Sequence, residues 1–515
     1  MNKVLLIILD GFGEGKAYPG NAITLAKTPT ITALKKKYPW MLLKASGEAV
    51  GVPEGTQGGS EVGHFTIGAG RVVFQQLEEI NRAIKDGSFF QKPALLEACK
   101  KKTLHLLGMI SDQGVHAHLA HLFALLELAK RQKVERIFIH AITDGRDVHE
   151  RSAAEFIKQI QEKIIELGLQ DRAKIATIIG RYFAMDRDEN WNRLQPAYDL
   201  YALGKGIKET DPVQAIVNAY KRGNETDYYI DPIVLEPQAT IHDKDAVIFF
   251  NFRSDRAREI TWAFTGENDP KTGKQVEIKI DKPIRPYFVC FGPYSQKAPV
   301  VFPTPAVKNN LGQVLAQHKL KQFRLAETQK YAHVTYFFNS QIEEPNPGED
   351  RMMIESKRRH SYAEIPEMSA KEITDVLLEK LAGKKYEFIA VNFANCDLVG
   401  HSGDLKATIK AVETIDTCLG RIIPQALKND YVTFITGDHG NAEYMIYEDS
   451  GEPCPSHTKN PVPFVMVSSS NHDKVTIRQA HGDSFAELKD IAPTILKIME
   501  LPKPKEMTGK SLIQK

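Results

Sequence analysis

The sequence predicts an α/β protein of two α/β domains, one inserted into the other. Three observations predict it. Short apolar runs recur along the chain and end in polar residues, as buried parallel strands do. Segments with helical spacing separate them, for example "LKATIKAVETIDTCLGRII" at 405–423. The residues that close the runs are acidic or imidazole toward the two ends of the chain and largely arginine in its middle.

The first run, "VLLIILDG" (4–11), reads as a buried strand ending at Asp10. It follows a lysine, but it is too short for a secretory leader, ends in a charge and lacks a small-residue cleavage site. Next, "GGSEVGHFTIGAGR" (58–71) puts two glycines before Ser60 and helix-capable residues after it. Glycines permit a tight turn, and serine is a favoured N-cap. The same position, at the positive end of a helix, also suits a nucleophile that carries phosphate. His64, four residues on, shares a helix face with Ser60 and supports the turn.

A boundary falls near 74–79 and is placed after residue 76. Four runs follow. "LHLLGMISDQGVHAH" (104–118) ends in histidines, and "RIFIHAITDGRD" (136–147) ends in Arg146 and Asp147. "KIATIIGRYFAMDRD" (174–188) ends in Arg181 and Arg187, and "AVIFFNFRSDRARE" (246–259) in Arg253 and Arg256. Four successive strands with cationic ends suggest a second α/β domain with a site for an anion. The proline-rich stretch "QKAPVVFPTPAVKNNLG" (296–312) reads as a linker. The inserted domain is therefore 77–309, and the outer domain 1–76 with 310–515. In the outer domain, "EEPNPGEDR" (343–351) reads as a loop. Three further strands are expected: "FIAVNFANCD" (388–397), "YVTFITGDHG" (431–440) and, after a histidine-bearing loop, "PFVMV" (463–467).

Composition narrows the function. The net charge is +2, from 67 basic and 65 acidic residues, which argues against a general nucleic-acid or membrane-surface binder. Five widely spaced cysteines with no Cys-x-x-Cys pair fit a reducing cytosol rather than a disulfide framework or zinc site. No apolar stretch approaches the roughly 18–20 residues needed to span a bilayer.

The outer domain's strand ends collect Asp10, Asp397, His401, Asp438, His439 and His457. Asp397 and His401 stand four apart in "DLVGH" and converge if that turn is helical. Three carboxylates and three imidazoles exceed the needs of one ion, whereas two divalent cations about 3.5–4 Å apart use them all. Mixed carboxylate and imidazole ligation suits Mn²⁺, Zn²⁺ or Co²⁺ better than Ca²⁺. Such ions also lower the pKa of a bound oxygen nucleophile, and that is the activation Ser60 needs. His105, His140, His149, His333, His360, His472 and His481 lack such context and receive no role.

These residues sit in longer motifs that resemble the cofactor-independent phosphoglycerate mutases of the alkaline phosphatase-like superfamily. The likeness runs along nearly the whole chain, through "LDGFG", "GGSEVGHFTIGAGR", "GVHAHLAHLFALLELA", "TDGRDV", "GRYFAMDRD", "NFRSDRAR", "AETQKYAHVTYFFN", "NCDLVGHSGD", "TGDHGNAE" and "SHTKNPVPF". The resemblance implies that Ser60 is the nucleophile and carries the phosphate. It implies one metal on Asp397, His401 and His457, and another on Asp10, Ser60, Asp438 and His439. It assigns His116, Arg146, Asp147, Arg181, Arg187, Arg253 and Arg256 to holding phosphoglycerate, and Lys330 to the neighbourhood of the phosphoryl group. Asp147 is the candidate to position or deprotonate the 2-hydroxyl. The implied cofactors are two divalent ions, Mn²⁺ first, with Zn²⁺, Co²⁺ or Mg²⁺ as alternatives. The implied partner is a small-molecule phosphoglycerate, with no nucleic acid and no membrane, and the expected state is a cytoplasmic monomer. The chain departs from the family where Gln329 replaces a usual glutamate, Gln113 a glycine, Ser254 a proline and Gly59 an asparagine.

Overall fold

The computed structural model describes residues 2–270, 272–280, 282–304, 306–357, 359–469, 476–477 and 486–514. His472 and His481 lie outside them. The chain divides into two compact units, Met1–Phe74 with Ala306–Lys515, and Gln75–Pro305.

The first unit is built on an eight-stranded sheet. From edge to edge its strands are Glu349–Ile354, Gln322–Glu327, Phe388–Phe393, Lys3–Leu9, Tyr431–Thr436, Val462–Val467, Trp40–Lys44 and Ala486–Glu487. Lys3–Leu9 is central because its residues are apolar on both faces, and only a strand covered on both sides can bury them. Val4, Leu6 and Ile8 enter one core with Ile491, Ile495 and Leu496 of the Ile491–Ile498 helix. Leu5, Ile7 and Leu9 enter the opposite core with Val412, Ile415 and Leu419 of the Leu405–Lys428 helix. Each such side chain, fully buried, contributes roughly 1.5–3 kcal/mol.

Both immediate neighbours of Lys3–Leu9 run parallel to it, with Ile8 level with Asn392 on one side and Thr436 on the other. Asp10, Asp397 and Asp438 therefore leave the sheet at one edge, as ligand-binding residues of parallel sheets do. The Val462–Val467 strand departs from expectation, since it runs antiparallel to Tyr431–Thr436. The loop of residues 437–461 stays at the carboxyl end of the sheet, and the chain re-enters the sheet from there. The stretch 343–351 is only partly a loop, because Glu349, Asp350 and Arg351 already belong to the edge strand.

The second unit has a seven-stranded sheet in the order Ile207–Lys208, Ile233–Val234, Ala173–Gly180, Arg136–Thr143, Thr103–Ile110, Ala246–Phe249 and Tyr287–Cys290. The four strands that lead to the cationic residues are neighbours and mutually parallel. The proline-rich stretch 296–312 is not linker throughout. Val301 donates its N–H to Cys290 and Phe302 to Phe291, and both side chains are buried in this unit's core. Among the described residues no helix is long and apolar enough to cross a membrane, and all five cysteines are free and buried.

Candidate active site

Ser60 opens the helix Ser60–Ala69, but Gly59 takes the N-cap position and the cap carries no side-chain hydrogen bond. Of the two roles open to Ser60, the N-cap is not the one it takes: Ser60 is the first helical residue and its hydroxyl meets other partners. The helix reaches the sheet edge through its glycines. A Cβ at Gly63 would lie 2.7 Å from the Asp438 carbonyl, and one at Gly68 1.9 Å from the Phe338 carbonyl. Both positions need the bare backbone. His64 acts as the turn requires, its Nδ1 lying 2.9 Å from the Ser60 carbonyl and its Nε2 3.0 Å from the Asn392 amide nitrogen.

The Ser60 hydroxyl is buried among charges. Its Oγ lies 2.9 Å from Asp10 Oδ1, 3.0 Å from His439 Nε2 and 2.6 Å from the Lys330 ammonium. Lys330 stands on the short helix Thr328–Ala332 that follows the Gln322–Glu327 strand. Its Nζ also donates to Asp10 at 2.8 Å and Asp397 at 2.6 Å. Burial opposes the charge of this ammonium, yet Asp10, Asp397 and Asp438 raise its pKa further still. Gln329 beside it is exposed, and its side chain bonds to Tyr362.

Two sets of ligand atoms converge here. Asp397 and His401 are one turn apart, at the start of the helix Asn395–Gly400 and just past its end, and their ligand atoms are 3.2 Å apart. His457 Nε2 lies 3.0 Å from both Asp397 Oδ1 and His401 Nε2. The far nitrogen of each ring faces a backbone carbonyl, Pro455 at 2.7 Å and Gly58 at 2.9 Å. Each ring thus turns Nδ1 to a carbonyl and Nε2 to Asp397, the orientation that a second shell gives a metal-bound histidine, and the Asp397 carboxylate raises the His401 pKa. Three lone-pair donors this close repel one another unless a cation lies among them. These residues fit a metal.

The second set is Asp10, Ser60, Asp438 and His439. His439 Nε2 lies 3.3 Å from Asp10 and 3.7 Å from Asp438. Asp438 Oδ1 takes the N–H of Gly11 at 3.2 Å, while its buried Oδ2 receives no hydrogen bond. The surplus of negative charge shows in His439. Burial alone would depress its imidazole, but Asp438, Asp10 and Asp397 push it up to about 10. This set also fits a divalent cation.

Two supporting residues carried no signal in the sequence. Asn392 donates to Asp10 Oδ2 at 2.8 Å. Glu443, fully buried, accepts the Asn441 N–H at 2.8 Å, the Asn460 amide at 3.1 Å and the Thr458 hydroxyl. It therefore ties the loop of Asp438 and His439 to the loop of His457.

In the second unit the expected residues form two groups at the carboxyl ends of the parallel strands. Arg181 Nη1, buried, donates to Asp144 and Asp147, each at 2.6 Å. Asp144 Oδ1 also takes the N–H groups of Arg146 and Asp147. Around Asp255 stand Arg187 at 3.0 Å, Arg253 at 3.1 Å and His116 at 3.8 Å. Arg256 donates to the Met185 carbonyl at 2.9 Å. Burial, then the charges of Arg181 and Arg253, lower the His116 imidazole to about 4. His116 is thus neutral at ordinary pH. Asp144 and Asp255 were not singled out in the sequence, where each looks like a turn residue.

The chain has close relatives. A family model described as the Metalloenzyme superfamily matches residues 2–503. The 2,3-bisphosphoglycerate-independent phosphoglycerate mutase of Moorella thermoacetica is 47% identical, over 99% of this chain and 98% of that protein. The protein of the same name from Clostridioides difficile is 44% identical over 99% of each. A crystal structure of Leishmania mexicana phosphoglycerate mutase at low cobalt concentration matches with a TM-score of 0.62 at 30% identity, covering 100% of this chain and 98% of that one. With relatives this similar along nearly its whole length, the chain belongs to the 2,3-bisphosphoglycerate-independent phosphoglycerate mutase family of the metalloenzyme superfamily.

Proposed function

We propose that the chain interconverts 3-phosphoglycerate and 2-phosphoglycerate through a phosphoserine on Ser60, with two divalent ions and no bisphosphoglycerate. The observation that carries this reading is the Ser60 hydroxyl, freed from capping and held by Asp10, His439 and Lys330. Asp397, His401 and His457 would hold one ion, and Asp10, Ser60, Asp438 and His439 the other, with Mn²⁺ the first choice and Zn²⁺, Co²⁺ or Mg²⁺ the alternatives. Bound there, the ions lower the pKa of a hydroxyl and neutralise phosphoryl charge.

Ser60 Oγ attacks the phosphorus of 3-phosphoglycerate, the bond from phosphorus to the glycerate 3-oxygen breaks, and the proton that leaves the serine hydroxyl is balanced by one gained at the 3-oxygen. The Lys330 ammonium, hydrogen-bonded to Ser60 Oγ, offsets the charge that builds on that oxygen and on the phosphoryl group. The glycerate stays on Arg146, Arg181, Arg187, Arg253 and Arg256, whose planar forks suit carboxylate and phosphate alike. His116, neutral, donates a hydrogen bond. The glycerate then reorients, its 2-hydroxyl attacks the phosphoserine, the bond from phosphorus to Ser60 Oγ breaks, and Asp147 takes the hydroxyl proton while Ser60 Oγ regains one. Retention of the glycerate is what separates a mutase from a phosphatase. The five free cysteines support a reducing cytoplasmic setting. The proposed state is a monomer with no nucleic-acid or membrane partner.

Phosphorus NMR of the Mn²⁺-loaded chain given only 3-phosphoglycerate tests the reading. The expected product is 2-phosphoglycerate without inorganic phosphate, and Ser60→Ala should abolish it. Growth of inorganic phosphate alone would instead identify a phosphatase on the same metal core.

A further inference from the structure

Two loops carry the outer arginines of the second unit. One, residues 185–190, holds Arg187 and lies between the helices Arg181–Ala184 and Trp191–Leu203. The other, residues 250–257, holds Arg253 and Arg256 and leads into the helix Arg258–Thr265. They are joined at four points, one of them the Asn251 amide on the Met185 sulfur at 3.7 Å. Two of the joints use the arginines themselves, Arg187 on Asp255 and Arg256 on the Met185 carbonyl. A ligand that engages those arginines competes with both joints.

The remaining joint uses no arginine of the site. Glu259, in the first turn of the Arg258–Thr265 helix, is 2% exposed, as is Asp186. Glu259 Oε1 accepts the Glu189 N–H at 3.1 Å, while its buried Oε2 receives no donor, and the Asp186 carboxylate raises its pKa. Asp186 already accepts from four donors, Arg193 at 3.0 Å, the Asn190 amide at 3.4 Å, and the N–H groups of Asp188 at 3.0 Å and Asn190 at 2.8 Å. A facing carboxyl pair, buried on both sides, shares one proton, because two adjacent charges cannot both be kept out of water. With Asp186 committed as an acceptor, the proton belongs to Glu259.

We propose that Glu259 is a positioning residue for phosphoglycerate: its protonated carboxyl latches the Arg187 loop to the Arg253–Arg256 segment while the arginines are occupied by ligand. This rests on the reading of those arginines as the substrate's ligands. Burial pushes the Glu259 carboxyl up to about 7, and the charges of Asp186 and Glu189 add to the effect against the Glu189 N–H. The other charged groups facing the pair are Arg193, through Asp186, and Lys274, which pairs with Glu189 at 2.6 Å. Above neutrality Glu259 loses its proton, two carboxylates face each other, and the latch opens.

The test compares the metal-loaded wild type with E259Q and E259A. Glutamine retains a donor for Asp186 and an acceptor for the Glu189 N–H at every pH. In the wild type, KM for 3-phosphoglycerate should rise about threefold or more between pH 6.5 and 8.5, with kcat moving less. E259Q should hold a low, flat KM, and E259A a raised KM throughout. Amide hydrogen exchange gives a readout that needs no turnover. Residues 185–190 and 256–262 should exchange faster in the wild type than in E259Q above pH 7.5, and equally at pH 6. An E259Q that keeps the wild-type KM step, or matches wild-type exchange at every pH, would overturn the proposal. If the wild type does not turn over 3-phosphoglycerate, the substrate reading fails, and hydrogen exchange still decides the latch.

Discussion

Lys330 Nζ lies 2.6 Å from Ser60 Oγ, closer than Asp10 at 2.9 Å or His439 at 3.0 Å. The nearest partner of the Ser60 hydroxyl is thus a permanent cation rather than a base. Three carboxylates keep it charged, so it cannot accept the serine's proton. Its contribution is to stabilise charge. Lys330→Met should lower kcat by about 10²–10³, the typical loss for one electrostatic donor in a dry site. Metal content should stay at the wild-type level, because the variant keeps every ligand and removes a competing cation. Loss of metal along with activity would make Lys330 a structural prop instead.

Glu443 offers a test of the second shell. It binds no ion in the proposed scheme, yet it joins the loops that carry His439 and His457. Glu443→Gln should weaken metal affinity by about 10–100-fold, the usual scale for outer-shell partners. Calorimetric titration with Mn²⁺ measures this directly. An unchanged affinity would show that the two loops hold their positions without it.

Arg253 is half exposed and pairs with Asp255 of the second unit. Arg253→Ala should raise KM for 3-phosphoglycerate and spare both ions. Metal analysis beside steady-state kinetics separates the two effects. Exhaustive chelation should instead stop turnover altogether, and activity that survived it would remove the ions from the mechanism.

Acid should weaken the second unit. His105 and His140 share a buried hydrogen bond of 2.8 Å, and His140 meets Thr177 at 2.8 Å. His121 is buried against Asn81. Burial lowers the pKa of all three, His121 to about 3. The folded chain therefore keeps them neutral, while the unfolded chain protonates them near 6.5. Their contribution to stability is complete above that pH and declines below it. By pH 5 the loss should reach roughly 2 kcal/mol for His121 alone. Thermal unfolding at pH 7.5 and 5 measures it, and His121→Gln, which keeps a donor for Asn81, should recover that share.

Much of the site was legible because its ligands follow strands. Asp10, Asp397, Asp438 and His439 sit just past apolar runs, and their parallel neighbours bring them to one edge. The four-residue spacing of Asp397 and His401 was enough to foresee their convergence. Strand direction was not legible for 462–467, because a strand buried on both faces reads alike either way. Phe302 hid among prolines that suggested a linker. Glu443 and Glu259 look like surface charges in sequence, since nothing local marks a carboxylate whose partners come from other loops. The serine was ambiguous for a physical reason: a cap and a nucleophile favour the same end of a helix.

The order of the first sheet has a consequence for biosynthesis. Lys3–Leu9 emerges from the ribosome hundreds of residues before its neighbours Phe388–Phe393 and Tyr431–Thr436. At about 5–20 residues per second it waits on the order of tens of seconds with its backbone unpaired and its apolar faces bare. The second unit, contiguous in sequence, is translated during that wait. The nascent chain therefore presents chaperones with two early strands, Lys3–Leu9 and Trp40–Lys44, whose neighbours come last, and no shortened product that stops before His457 can carry the complete proposed ligand set.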